Sequence, residues 1–285
     1  MHGSLSGGAA GGSPYLDRPG PAALAHRGGA AEVAENSRAA LEHADALGYR
    51  YFETDVRRTA DGVVVLHHDA TLDRTTTGHG PLSALTWAQA ARLRDHSGGR
   101  LVRLDEALAD FPGLRLNIDL KEDGVIGPAL RVVAEAGAGD RVCLASFADR
   151  RLQVVRRATR GRVATSLARQ ETARLVLAAT LGAPARGVPT PSGTTTDRAV
   201  CVQVPVRHRG VPVVTPAFVQ RAHRLGLEVH VWTIDDAPTM HRLLDLGVDG
   251  LVTDRPTVLR EVLRARGEWY GGARDDRSTG LSAHV

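Results

Sequence analysis

The sequence predicts an α/β fold: a (β/α)8 TIM barrel in a single domain with a small insertion after the second strand. Short runs rich in Val, Leu and Ile alternate with helical patterns for almost the whole length, the signature of repeated βα units around a parallel sheet. Eight runs follow one another, at Ala22–His26, Tyr51–Asp55, Leu114–Asp119, Arg141–Ser146, Arg162–Ser166, Ala199–Val204, Glu228–Thr233 and Gly250–Thr253. Eight strands, mostly followed by helices, suit a closed barrel better than an open sheet. A length of 285 residues accommodates one large barrel, although about 150 residues per domain would also allow two.

The connecting segments carry helix signals. Asn36 stands where it can cap residues 37–48, in which Ala39, Leu41, Ala44 and Leu47 fall on one face before Gly48 stops the helix. Thr215-Pro216 opens another helix and Gly226 closes it. The pattern repeats at 235–247 and again at 256–267. Two stretches break the regularity. The connection from His68 to Leu114 carries a short helix near Trp87–Leu93, and Gly182–Arg198, dense in Pro, Thr and Gly, reads as an exposed loop. The expected domain limits are a flexible leader at 1–20, the barrel at 21–266 and a disordered tail at 267–285.

Composition narrows the function classes. At 42% hydrophobic and 24% charged residues the chain can fill a sizeable core, which excludes general disorder. The absence of an apolar run of membrane-spanning length predicts no stable membrane insertion. Residues 1–14 lack a cationic start and an apolar stretch, so the expected location is cytoplasmic. Cys143 and Cys201 lie far apart in apolar strand runs and read as buried thiols. The net charge of +4 favours anionic partners, but dispersed arginines and only 4% aromatic residues argue against nucleic acid. Oligomeric state has no signature in the sequence.

The chemistry starts with Glu53 and Asp55. Residues two apart on a strand point to the same side, and at the C-terminal end of a barrel strand that side faces the mouth. Two such carboxylates repel one another unless a cation compensates them; alternatively they form ion pairs with Arg57 and Arg58. Asp119 ends the third barrel strand, so the barrel brings it to the same rim. Three hard oxygen donors suit a divalent cation, Mg2+ or Ca2+. One divalent ion against three carboxylates still leaves net negative charge, for which Arg27 and Lys121 are the compensating candidates before an anionic phosphodiester.

Two histidines stand in special positions. His26 ends the first strand, with Gly28 and Gly29 allowing a close backbone turn beside a ligand. His68 follows a further apolar run, Val63–Leu66, while its neighbour His67 points the other way. Two imidazoles flanking a phosphate are what phosphodiester cleavage needs: one accepts a proton from the attacking oxygen, the other protonates the leaving alkoxide.

The ordered motifs resemble the glycerophosphodiester phosphodiesterase family. They are His26-Arg27-Gly28, Glu35-Asn36-Ser37, Glu53-Thr54-Asp55-Val56, His68-Asp69 with Arg74-Thr75-Thr76, Leu104-Asp105-Glu106, Asn117-Ile118-Asp119-Leu120-Lys121, Ser146-Phe147, Val231-Trp232-Thr233, Gly247-Val248-Asp249-Gly250 and Thr253-Asp254-Arg255-Pro256. The resemblance spans about residues 22–264. It implies a TIM barrel that hydrolyses glycerophosphodiesters, a small-molecule substrate class, to glycerol 3-phosphate and an alcohol with a divalent cation. It further implies His26 and His68 as the acid/base pair and Glu53, Asp55 and Asp119 as metal ligands. Arg27 and Lys121 fall at phosphate-contacting positions, Trp232 at the aromatic wall of the substrate pocket, and Glu35 at a supporting position.

The sequence departs from the family pattern at two places. Ala34 and Ser37 replace the usual proline and threonine, and Asp119 replaces a glutamate, which shortens the third ligand by one methylene. Two alternatives stay open: lysophospholipase D-type activity on lysophospholipids, as in several family members, and a barrel that binds phosphodiesters without turnover. Neither the 182–198 loop nor the 68–114 connection carries the apolar stripe expected of a lipid-tail groove, which favours water-soluble substrates. Arg74-Thr75-Thr76 either fixes the His68 segment or meets substrate, and Gln203 and Asp254 either bind glycerol hydroxyls or hold loops.

Overall fold

The computed structural model describes residues 13–194 and 197–271. In chain order its strands are β1 (Ala22–His26), β2 (Tyr51–Arg58), β3 (Val64–Leu66), β4 (Arg115–Leu120), β5 (Val142–Ala145), β6 (Ala164–Thr165), β7 (Cys201–Pro205), β8 (Arg207–His208), β9 (Val211–Pro212), β10 (Glu228–Trp232) and β11 (Gly250–Thr253). Every one of the eight expected runs forms a strand. They pair in parallel in the order β6-β5-β4-β2-β1-β11-β10-β7. A parallel bridge from Ser166 to Cys201, with bonds from Val200 N to Thr165 O (2.9 Å) and Leu167 N to Cys201 O (2.8 Å), joins the two ends. The result is a TIM barrel.

The helices are α1 (Arg38–Ala46), α2 (Trp87–Ala90), α3 (Leu104–Asp110), α4 (Ile126–Glu135), α5 (Asp149–Thr159), α6 (Arg169–Leu181), α7 (Pro216–Arg224), α8 (Ala237–Asp245) and α9 (Pro256–Ala265). Thr215 caps α7 by accepting from Phe218 N, and Pro216 occupies its first turn. The cap of α1 is Ser37 and not the expected Asn36: Ser37 Oγ accepts from Ala40 N at 3.0 Å. Asn36 adopts a left-handed φ of 54°, which asparagine tolerates better than most residues, and turns its amide to β2.

The insertion is built on β3, which runs antiparallel to β2 with Val56 opposite Leu66 and Arg58 opposite Val64. This pairing extends β2 beyond its expected end at Asp55. The insertion has its own apolar cluster of Val65, Leu72, Leu82, Ala90 and Leu101. The predicted helix near Trp87–Leu93 is the single turn α2, and α3 is an additional helix.

The leader expected to be flexible through residue 20 is packed from Ser13 onwards. Tyr15 is 1% exposed and meets the Tyr51 ring edge-on at 5.3 Å, while its carbonyl accepts from Tyr51 Oη and Arg115 Nη1. Arg18 pairs with Glu228 at 2.7 Å. These partners start their strands, so the segment closes the barrel floor, joining an interior cluster with Leu24, Cys143, Cys201 and Val252. At the other end Trp269 packs on Tyr49; the rest of the expected tail, from residue 272, lies outside the described residues.

An ion pair buried outside the barrel fastens the short β6. Arg156 on α5 is 1% exposed and grips the Glu171 carboxylate of α6 at 2.6 and 3.0 Å, while also donating to Thr165 Oγ1 and the Ser166 carbonyl. Removing one partner of such a pair leaves an uncompensated buried charge. Glu171→Gln is expected to destabilise the fold by about 3–5 kcal/mol in urea titrations, and a loss below about 1 kcal/mol would place the pair among surface contacts.

Candidate active site

The mouth is assembled from the C-terminal ends of neighbouring strands. In register, His26 of β1 lies opposite Glu53 of β2, Glu53 opposite Asn117 of β4, and Asp55 opposite Asp119. Glu53, Asp55 and Asp119 are 8%, 2% and 8% exposed, so their charges are removed from water and need partners in the protein.

The turn after β1 supplies some of those partners. Arg27 has a φ of 50°, which aims its backbone N–H at Glu53 Oε2 (3.1 Å). Its guanidinium bonds Glu35 Oε1 at 2.9 Å and places Nε 3.2 Å from Asp55 Oδ2, near enough for charge attraction but off line for a hydrogen bond. Gly28 is required by packing and by its φ of 89°: an added Cβ would lie 2.4 Å from Ala40 Cβ on α1. Asn36 donates to Asp55 Oδ2 at 3.0 Å and accepts from Thr54 Oγ1 at 2.7 Å.

Lys121 provides the other compensation. Its Nζ sits between Asp55 Oδ1 (2.7 Å) and Asp119 Oδ2 (2.6 Å). Where three acids around a metal were expected, a lysine ammonium lies between two of them, Asp55 and Asp119. Among the described residues no three His, Cys, Asp or Glu side chains are arranged to hold a metal ion as they stand. Arg57 and Arg58, the alternative partners for Glu53 and Asp55, pair with Glu122 instead.

The carboxyls titrate differently as a consequence. Burial, reinforced by the charge of Asp55, raises Glu53 to about 7. Burial also raises Asp119, against the opposing pull of Lys121. For Asp55 the burial penalty is outweighed by Lys121 and Arg27, and its value falls.

Both histidines are oriented by a carboxylate. His26 Nδ1 lies 2.7 Å from Asp254 Oδ1 and Nε2 lies 3.8 Å from Glu53 Oε2. Burial disfavours the charged imidazole, but Asp254 and Glu53 outweigh it and raise His26. Asp254 is itself held at its backbone N–H by Asp235 Oδ1 (2.8 Å). His68 Nδ1 lies 2.6 Å from Asp69 Oδ1, and Arg74 holds the Asp69 carboxyl well below the usual range. A carboxylate only accepts, so each imidazole carries its proton on Nδ1 and leaves Nε2 for chemistry. His67 is buried against the Thr71 carbonyl. Trp232, half-buried, meets Phe147 edge-to-face at 6.0 Å, and Phe147 is 60% exposed.

Asp254, Asp69, Asn36 and Phe147 are the residues that sequence reasoning left without these placements. Asp254 lies one residue beyond β11, where strand-end logic could have paired it with the imidazole on adjacent β1. Asp69 adjoins His68 and carried the same local signal.

Barrel, acids and carboxylate-braced imidazoles together define a TIM-barrel protein with acid/base groups at its mouth. Residues 26–258 match the glycerophosphoryl diester phosphodiesterase family, and the chain belongs to it. It is 39% identical over 265 residues, 92% of this chain and 98% of the relative, to a Mycobacterium tuberculosis protein named probable glycerophosphodiester phosphodiesterase 2. Among solved structures, a Silicibacter pomeroyi protein carrying the family's name superposes with a TM-score of 0.73 at 22% identity, covering 90% of this chain and 98% of that one. An Oleispira antarctica phosphodiesterase in complex with sn-glycerol-3-phosphate gives a TM-score of 0.69 at 23% identity, covering 86% and 97%.

A carboxyl whose folded value is raised contributes stability below its ordinary value and loses it as pH rises through the folded one. For Glu53 that window runs from 4.5 to about 7. In chelator, Glu53→Gln is therefore expected to raise the thermal midpoint above the upper limit and to give no gain below the lower one. Equal midpoints for parent and variant in mildly alkaline buffer would contradict the assigned burden on Glu53.

Proposed function

We propose that this protein hydrolyses glycerophosphodiesters to glycerol 3-phosphate and an alcohol by acid/base catalysis between His26 and His68. The observation that carries the reading is the pair of imidazoles, each fixed through Nδ1 by its own carboxylate. His26 lies against Glu53, and His68 lies within electrostatic reach of Asp55 and Asp119.

A divalent cation, Mg2+ or Ca2+, fits the donor set. Glu53, Asp55 and Asp119 are hard oxygen donors, Glu53 is under-compensated enough to rise to about 7, and the buried Asn117 Oδ1, opposite Glu53 in register, has no hydrogen-bond partner. The three carboxylates would hold the ion, which when bound offsets negative charge on the phosphate oxygens. Arg27 and Lys121 add positive charge beside the same oxygens, and Trp232 provides an apolar wall for the glycerol moiety.

His26, favoured in its charged form by Asp254 and Glu53, donates its Nε2 proton to the departing alkoxide. His68, with Nδ1–H committed to Asp69, takes the proton of the attacking hydroxyl on Nε2. A bond from that oxygen to phosphorus forms as the phosphorus–alkoxide bond breaks. The attacking hydroxyl belongs either to water or to the substrate's neighbouring carbon, the latter giving a cyclic phosphate that water then opens.

Glycerophosphocholine hydrolysis is the direct test. Product is expected in Mg2+ or Ca2+ and is lost in EDTA, and His26→Ala and His68→Ala each lower kcat by about 10²- to 10⁴-fold with thermal midpoints near the parent's. Binding without product in any divalent cation would overturn the reading. A panel with glycerophosphoethanolamine, glycerophosphoglycerol and lysophosphatidylcholine separates soluble diesters from lysophospholipids; a rat relative named lysophospholipase D is 25% identical over 279 residues.

A further inference from the structure

The two imidazoles are held in physically different ways. His26 is part of a barrel strand, whereas His68 follows β3 on the insertion, outside the eight barrel strands. Its position relative to the mouth depends on ties across that boundary. One is backbone anchoring, with His67 N donating to the Asp55 carbonyl at 2.9 Å and Arg57 Nε to the His68 carbonyl at 2.9 Å, which fixes backbone but not the imidazole. The other runs through side chains and ends on the ring itself.

That second tie is Arg74. Its Nε donates to Asp69 Oδ2 at 2.6 Å, and Asp69 Oδ1 holds His68 Nδ1 at 2.6 Å. Its two terminal nitrogens fork onto the Glu35 carboxylate at 2.7 and 2.8 Å. Glu35 is anchored in turn to Arg27 Nη1 at 2.9 Å, on the turn following β1. All three nitrogens of Arg74 are engaged, one on the insertion and two on the barrel side. The chain of contacts therefore joins the His68 ring to the same turn that holds Glu53 and Asp55.

We propose that Arg74 is a positioning residue for His68, acting through Asp69, with Glu35 as its anchor on the barrel. The proposal rests on the phosphodiesterase reading for its kinetic consequence but not for its structural one. Only a planar fork with a separate Nε–H can serve both carboxylates in this way, and a lysine ammonium cannot. The magnitudes separate this role from a stabilising one. The Arg74 side chain is 49% exposed, and ion pairs in that setting contribute little to folding, whereas loss of a group that orients a reacting side chain costs about 10- to 100-fold in activity.

The test uses Arg74→Ala, Arg74→Lys and Glu35→Gln in the full chain with glycerophosphocholine. Arg74→Ala is expected to lower kcat by about 10- to 100-fold with KM within about twofold and a thermal midpoint close to the parent's; Arg74→Lys restores only part of the loss. In a His68→Ala background the same change should alter the residual rate by less than about twofold, because the group it positions is gone. Losses that multiply in that background, or a KM rise at constant kcat, would overturn the proposal. A readout independent of turnover is the imidazole 15N spectrum: a single Nδ1–H tautomer for His68 in the parent, and mixed tautomers in Arg74→Ala. If the parent shows no phosphodiesterase activity, the function assigned above fails while this spectrum still decides the role of Arg74; an unchanged tautomer signal refutes it.

Discussion

The whole mouth is organised by the cost of burying two carboxylates two residues apart on one strand. Glu53 and Asp55 project to the same side of β2 and are almost fully withdrawn from water. Like charges in such a setting are tolerated only when the surrounding groups compensate them. The left-handed Arg27 and Asn36, both on the β1–α1 connection, and the bridging Lys121 after β4 act on this pair from two sides. Compensation is uneven: Asp55 receives a lysine, an amide and a guanidinium, whereas Glu53 keeps one backbone N–H and a distant imidazole. Of the two, Glu53 is the carboxyl left short of compensation, and its value rises accordingly.

This unevenness also sorts the imidazoles. His26 shares the under-compensated carboxylate and gains basicity from it, with Asp254 reinforcing the effect. His68 sits on an arm with its own apolar cluster. With His26 on the barrel and His68 on an arm, the distance between the two imidazoles depends on two separately packed bodies, and polar contacts from Arg57 and Arg74 tie the insertion back.

The barrel was legible because strand runs are local: each needs only its own apolar residues. What each strand pairs with is not local, so the extension of β2 by β3 and the hairpin β8–β9 escaped notice. The acids were legible from side-chain parity alone. That Lys121 would lie between Asp55 and Asp119 depends on the β2–β4 register, which no single segment contains. Asn36 and Ser37 are adjacent residues with equal claim to the helix cap, and only the left-handed turn toward β2 distinguishes them. Tyr15 and Arg18 carry no periodicity, so their seat beneath the barrel was invisible until Tyr51, Arg115 and Glu228 were brought together.

Around the ring, hydrogen bonding is unequal. β2 and β4 share six register pairs, while β6 meets β7 through a single bridge and its flanking bonds. In the strand order this thin seam lies diametrically across from the β1–β2 junction. Thermal breathing, and the first exchange of amide protons, will concentrate where the ladder is shortest. His26, Glu53, Asp55 and Asp119 stand on β1, β2 and β4, on the side of the circle away from its loosest joint.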